Sequence, residues 1–160
     1  MSYRLEQTQI VGGTLEDVFA FFKTPNNLEL LTPAFLGFTV LRASDHEVRL
    51  GTTIDYRLTL HGLPLRWSSR ISEFVEGEMF VDEMTSGPYR RWYHRHLFRE
   101  VPGGVEIGDI VEYELPLGPV GRLARLLFVR RQLEVIFSFR RAAIAARFPS
   151  ASQLTSPAVP

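Results

Sequence analysis

Hydrophobic and polar residues alternate through the middle of the chain, from about residue 36 to 115. In the segment 53–60, Ile54, Tyr56, Leu58 and Leu60 alternate with polar or charged residues. Because successive side chains of a strand point to opposite faces, this period predicts strands that each bury one face. Turn residues separate the alternating segments, so the pattern predicts six consecutive antiparallel strands.

The residues before this segment predict one more strand and two short helices. Residues 3–11 alternate weakly and predict the first strand. Thr14 stands three positions before Asp17, which resembles a capping box and predicts a helix start. That helix is expected to end at Thr24-Pro25, and a second one is expected to lie between Pro25 and Pro33.

The C-terminal part of the chain predicts a long helix. Between Gly121 and Phe148 there is neither glycine nor proline, and apolar residues return at helical spacing. These residues are Leu123, Leu126, Leu127, Leu133, Ile136, Phe137 and Ala143. The helix would have about 27 residues and a length of roughly 40 Å. Its arginines are expected on a solvated outer face, with contact to anionic lipid or a partner as the less favoured alternative. They are Arg122, Arg125, Arg130, Arg131, Arg140, Arg141 and Arg147.

The stretch GPYRRWYHRHLFRE, residues 87–100, contains two of the four histidines and predicts a strand with two different faces. The loop Val101–Gly104 is typical of a hairpin and would pair Glu100 with Val105. This register predicts an apolar face with the cross-strand pairs Trp92–Tyr113, His94–Val111, His96–Asp109 and Phe98–Ile107. The other face would hold Arg91–Glu114, Tyr93–Glu112 and Arg99–Glu106. A shift by one residue would mix apolar and charged residues on both faces.

Charge argues against a nucleic-acid partner. Lys and Arg total 18 in the 160 residues, and Asp and Glu also total 18, so the formal net charge is zero. This balance provides no long-range field to attract a polyanion. In the predicted register, Arg91 and Arg99 also have acidic partners on the neighbouring strand.

Composition limits the remaining classes. The chain has no cysteine, which excludes disulfides, thiolate metal sites and a cysteine nucleophile. The N-terminal residues lack the apolar core of a signal peptide, and no apolar run approaches the ~18 residues of a membrane span. A cytoplasmic protein is therefore expected. Residues 1–148 are expected to form a single domain, and the Pro/Ser-rich residues 149–160 a disordered tail.

The order of these elements resembles that of the START/polyketide-cyclase-like (SRPBCC) superfamily, and the sequence is most similar to a bacterial cyclase/dehydrase-like branch that binds ligands. The motifs that carry the resemblance are Leu31-Thr32-Pro33, the strand 51–60, Trp67, Phe80 with Asp82, Gly87-Pro88-Tyr89, Trp92-x-His94-x-His96-x-Phe98, Asp109-x-Val111-x-Tyr113 and Pro116-x-Gly118. It implies an α+β helix-grip fold, in which a curved, antiparallel seven-stranded sheet wraps around the long C-terminal helix. It also implies an apolar cavity between sheet and helix, but no single activity, because this fold carries many functions.

The expected function is binding of a small or medium-sized hydrophobic molecule, lipid- or polyketide-like, in that cavity. The candidate ligand-binding residues are Tyr56, Trp67, Trp92, His94, His96, Phe98, Tyr113 and Phe137. The alternative is a cyclase- or dehydratase-like enzyme, in which Asp109 orients His96 and raises its basicity while His94 donates to an oxyanion.

Two further interpretations of the polar residues stay open. His96 and Asp109 could form only a buried hydrogen bond that satisfies both groups. His94, His96 and Asp109 could hold a metal ion, but no metal and no cofactor is expected, since closely spaced histidines are weak evidence for one. Asp82 is expected to have a structural role, with a second cavity carboxylate as the alternative. The oligomeric state is left open.

Overall fold

The computed structural model describes residues 2–60, 62–116, 118–119, 123 and 128–150. Its strands are β1 (Ser2–Val11), β2 (Thr39–Ala43), β3 (Thr53–Leu60), β4 (Leu63–Val75), β5 (Met79–Ser86), β6 (Arg91–Val101) and β7 (Gly104–Glu114). Its α-helices are α1 (Leu15–Lys23) and α2 (Arg130–Arg147), and two 3-10 helices cover Pro25–Leu31 and Ala34–Leu36. The strand, the two short helices after it and the six following strands are therefore confirmed.

All seven strands form one antiparallel sheet, in the order β1-β7-β6-β5-β4-β3-β2. Strands β2 to β7 follow one another as a meander, because consecutive antiparallel strands need only short connections. Strand β1 pairs with β7 and forms one edge of the sheet, and β2 forms the other edge. With α2 packed on one face, this architecture is the α+β helix-grip fold that the sequence predicts.

The predicted register of β6 and β7 is confirmed at every position. Trp92 pairs with Tyr113, His96 with Asp109, and Val101 with Gly104. The turn is shorter than the predicted four-residue loop, because its outer residues also pair and only Pro102 and Gly103 connect the strands. Gly103 has a φ of 91°, which places it in the left-handed region favoured by glycine at this turn position.

The charged face differs from the prediction in its ion pairs. Arg99 contacts Glu106 at 2.6 Å, as the register requires. Arg91 instead reaches diagonally to Glu112, at 4.0 Å. Tyr93 donates its hydroxyl proton to Glu73, on β4, rather than to its cross-strand neighbour. Long side chains can therefore choose a diagonal partner without any change in the backbone register.

The start of α1 follows the predicted capping chemistry. The Asp17 backbone N–H donates to Thr14 Oγ1 at 3.1 Å, and the Thr14 hydroxyl donates to Asp17 Oδ2 at 2.7 Å. The buried face of α1 is aromatic, and Phe19 and Phe22 each pack against Phe98 of β6 with ring centroids 5.0 Å apart. This cluster fills one end of the space between sheet and helices.

Helix α2 is the described part of the long predicted helix. Most of residues 117–127 and all of 151–160 lie outside the described residues, and these include the predicted start of that helix and most of the predicted tail. The C-terminal end of α2 is tied to the sheet because Gly12 N–H donates to the Phe148 carbonyl at 3.0 Å. Among the described helices, none is long and apolar enough to cross a membrane.

Candidate functional site

A cavity of about 160 Å³ lies between the sheet and α2. Strands β3 to β6 form its floor, and α2 and the first 3-10 helix cover it. Its lining is mostly apolar and comprises Leu28, Leu31, Thr32, Leu36, Phe38, Tyr56, Leu58, Leu60, Trp67, Asp82, Pro88, Tyr89, Trp92, His94, Gln132, Leu133, Ile136, Phe137 and Arg140. The alternating residues that the sequence assigned to the buried sheet face therefore supply the floor of the cavity.

Aromatic rings form one wall of this cavity. Trp67 stands almost perpendicular to Trp92, with ring centroids 5.3 Å apart, and stacks on Tyr56 at 5.9 Å. Tyr89 packs on Trp92 at 4.9 Å. Two polar atoms of this wall are satisfied by one side chain, because Ser69 Oγ accepts from Trp67 Nε1 at 3.1 Å and bonds the Tyr56 hydroxyl at 2.6 Å. This end of the cavity thus presents flat, apolar ring faces.

A cluster of buried polar side chains borders the cavity on the side of α2. Its centre is Asp109, which is only 2% exposed. The carboxylate accepts hydrogen bonds from His94 Nε2 at 2.8 Å, Gln7 Nε2 at 3.1 Å and the Arg140 guanidinium at 3.2 and 3.3 Å. Burial acts to raise the pKa of Asp109, but the Arg140 charge and the hydrogen bond from His94 outweigh it and hold this pKa well below its ordinary value.

Arg140 corrects the prediction that the arginines of the last helix are all solvated. It is 5% exposed and lies in the interior of the protein. Its position explains this: Leu133, Phe137 and Ile144 are the other buried residues of α2, and Arg140 falls on the same stripe. The cost of burying its charge is offset by Asp109, since a buried cation needs a partner and hydrogen bonds.

The two histidines exchange the roles that the sequence suggested. His96 is the direct cross-strand neighbour of Asp109, but the shorter contact of its Nδ1 is to Arg140 Nη2, at 3.1 Å, against 3.3 Å to Asp109 Oδ1. An acceptor nitrogen facing a guanidinium is unprotonated. Burial is the main cause, and the neighbouring His94 and Arg140 act in the same direction, so that the pKa of His96 is lowered to about 3. The expected rise in the basicity of His96 is therefore wrong.

His94 takes the position expected for His96. It donates Nε2–H to Asp109, diagonally across the β6–β7 pair, which leaves Nδ1 as the second nitrogen of the ring. The ring also lines the cavity and packs on Phe137 at 5.5 Å. If either histidine exchanges a proton with a bound molecule, the geometry favours His94.

The same cluster contains the residues that the sequence suggested as possible metal ligands. Ligand atoms of His94, His96 and Asp109 lie within 4.8 Å of one another, a spacing that could hold an ion. However, the Arg140 guanidinium contacts both Asp109 and His96, so it already supplies the positive charge between them. A divalent cation there would face strong repulsion from this fixed charge. The donor set therefore fits the guanidinium better than a metal ion.

The predicted ligand-binding residues divide into two groups. Tyr56, Trp67, Trp92, His94 and Phe137 line the cavity. The other three lie outside its lining: Phe98 packs in the aromatic cluster under α1, Tyr113 lies behind Trp92 and Tyr89, and His96 borders a smaller space of about 20 Å³. Strand alternation correctly placed seven of the eight in the interior and helical spacing placed Phe137 there, but only a part of that interior is hollow.

Several residues of the site were not predicted from the sequence. Arg140 and Leu133 could have been grouped by their helical spacing. Gln7 could have been found if the pairing of β1 with β7 had been predicted, since it is the cross-strand neighbour of Asp109 on β1. Tyr89 lies in the loop between β5 and β6, where there is no hydrophobic alternation from which to predict the direction of its side chain.

The sequence matches no family model and no curated protein. Solved structures do resemble it. Protein CV1439 from Chromobacterium violaceum has a TM-score of 0.66 at 16% identity, over 91% of this chain and 97% of that one. TTHA0849 from Thermus thermophilus has a TM-score of 0.62 at 18% identity, over 92% and 99%. Ginseng major latex-like protein 151 from Panax ginseng has a TM-score of 0.56 at 15% identity, over 84% and 97%.

These similarities extend over nearly the whole length of each neighbour and support the helix-grip fold. At such identities they concern the fold alone, and the function has to be argued from the site.

Proposed function

We propose that the protein binds a small, hydrophobic, ring-containing molecule in the cavity between the sheet and α2. The observation that carries this proposal is the cavity itself, about 160 Å³ of space with a wall of aromatic rings. Ligand sites are typically concave and apolar, with a few polar groups that fix orientation. A dry cavity of about 150 Å³ is known to accommodate one benzene ring, so the volume supports the lower end of the expected size range.

A variant that fills the cavity tests the proposal. Ile136 lines the cavity from α2 and is half-buried, whereas Phe139, one turn further, is exposed. Ile136→Trp should occupy the space, and Phe139→Trp is the matched control on the same helix. With 4-fluorotoluene as the probe, ¹⁹F NMR titration should give saturable binding to the wild type and to Phe139→Trp. The affinity of Ile136→Trp should fall at least about tenfold, because the probe and the indole compete for one volume.

Two results would contradict this proposal. Equal binding to both variants would mean that the probe binds elsewhere. Absence of binding to the wild type, together with a purified protein that carries no small molecule in native mass spectrometry, would remove the support that the cavity provides.

A cyclase- or dehydratase-like activity is the second candidate, and the hydrogen bond between His94 and Asp109 favours it. In that case His94, rather than His96, exchanges the proton, and Asp109 fixes its tautomer. A His94→Gln variant of an enzyme should lose turnover and retain binding, whereas His96→Gln should alter both little. A protein that only binds should show no turnover to lose.

A further inference from the structure

Asp82 is a buried carboxyl in the wall of the cavity. It lies on β5, directly opposite His94 on β6, and is 8% exposed. Its side chain borders both the main cavity and the adjoining smaller space. Aspartate is rarely buried to this extent unless its oxygens are paired.

One oxygen of this carboxyl has no protein partner. Three buried side-chain polar atoms in the described part of the chain lack a hydrogen bond, and of these only Asp82 Oδ1 belongs to a residue that lines the cavity. The neighbouring polar groups differ in this respect. Tyr56 and Trp67 bond to Ser69, and His94 bonds to Asp109. A buried acceptor that the fold leaves unpaired points to a partner outside the fold.

The charges around Asp82 limit what that partner can be. Burial raises the pKa of Asp82, and the opposing influence of Ser69, His94 and Arg140 does not cancel this effect. An anionic ligand has no proton to donate to Oδ1, and its charge would oppose any ionisation of Asp82. A cationic ligand would enter a cavity that the Arg140 guanidinium also lines. A neutral hydrogen-bond donor satisfies Oδ1 without either penalty.

We infer that Asp82 is a specificity-determining residue that selects a neutral aromatic ligand carrying a hydroxyl group, whose proton is donated to the Asp82 carboxyl. The aromatic wall of Trp67 and Trp92 holds the ring, and the carboxyl on the neighbouring strand accepts the hydrogen bond. This inference rests on the proposed function, since it concerns the same cavity. A carboxyl side chain can rotate about its last torsion, so either oxygen can be presented to the ligand.

Two probes of nearly identical shape test the inference. 4-Fluorophenol and 4-fluorotoluene differ only in a hydroxyl in place of a methyl group, and both are followed by ¹⁹F NMR titration of the full chain. The wild type should bind 4-fluorophenol about 10- to 100-fold more tightly than 4-fluorotoluene, after correction for their different partition into an apolar solvent.

Variants at the carboxyl separate recognition from folding. Asp82→Leu removes the acceptor and should abolish the preference while it retains or improves binding of 4-fluorotoluene, which also reports that the variant is folded. Asp82→Asn retains an oxygen acceptor and should keep part of the preference. Glu83→Leu is the matched control, because Glu83 is the next residue of β5 and points to the opposite face of the sheet.

The outcomes distinguish this inference from the proposed function. If both probes bind the wild type with equal corrected affinity, or if Asp82→Leu keeps the preference, Asp82 does not select the ligand and the cavity remains a binding site. If neither probe binds the wild type or the Glu83→Leu control, and the purified protein carries no small molecule in native mass spectrometry, the proposed function fails, and the inference fails with it.

Discussion

Removal of the buried guanidinium of Arg140 is the most direct test of the polar cluster. In Arg140→Met the apolar stem is largely retained, and the charge and N–H groups are lost. Asp109, which is 2% exposed, would lose its contacts at 3.2 and 3.3 Å and remain a buried carboxylate. Breaking one partner of a buried ion pair costs about 3–5 kcal/mol. Asp109 keeps the hydrogen bonds from His94 and Gln7, so we expect a loss near the lower limit, about 3 kcal/mol.

Urea unfolding at 25 °C and pH 7, followed by tryptophan fluorescence, measures this loss. With a slope of about 2 kcal/mol per molar, the midpoint should fall by about 1.5 M. The exposed Arg131→Met is the control and should change stability by less than about 0.5 kcal/mol. Adding Asp109→Asn to Arg140→Met should cost less than the sum of the single changes, because the two residues are coupled. A loss for Arg140→Met no larger than that of the control would refute the argument and place the guanidinium in water.

Two further predictions concern pH and the β6–β7 turn. His96 has a folded pKa of about 3 against an ordinary 6.5, so the unfolded chain binds the proton first and stability falls as the pH drops below 6.5. Between pH 7 and 5, the free energy of unfolding of the wild type should fall by about 2 kcal/mol more than that of His96→Gln, as measured by urea unfolding. This pH range lies above the one in which Asp109 titrates in the unfolded chain. Equal losses would contradict the buried, neutral imidazole. A Cβ at Gly104 would lie 1.9 Å from the Val11 carbonyl oxygen, whereas one at Gly103 meets nothing within 4 Å. Gly104→Ala should therefore lower the thermal midpoint clearly more than Gly103→Ala, which bears only about 1–2 kcal/mol of backbone strain; equal shifts would mean that the turn relaxes.

The sheet could be predicted from the sequence because its information is local. Alternation fixes which residues share a face, and a turn of defined length fixes the register of a hairpin. The pairs Trp92–Tyr113 and His96–Asp109 follow from these two rules alone, and the structure contains both. The capping contact between Thr14 and Asp17 is local in the same way.

The polar cluster could not be predicted because it depends on contacts between distant elements. Arg140 reaches Asp109 only when α2 crosses the sheet at a particular height and rotation, and no pattern within either element specifies these. The backbone register likewise sets His96 opposite Asp109 without deciding which imidazole bonds the carboxylate. Once the guanidinium lies beside His96 Nδ1, the diagonal bond from His94 Nε2 gives the Asp109 carboxylate an imidazole donor.

This cluster also shapes the electrostatics of the cavity. The charges of Arg140 and Asp109 compensate each other, and the low pKa of His96 keeps that imidazole neutral. The cavity therefore has a polar wall with a paired Arg140–Asp109 charge on one side and aromatic rings on the other. An ion entering such a space would lose its hydration without gaining a free counter-charge. A neutral aromatic molecule with one hydroxyl group loses little hydration and gains both the ring contacts and a hydrogen-bond acceptor at Asp82. It is therefore the class of ligand that fits this cavity best.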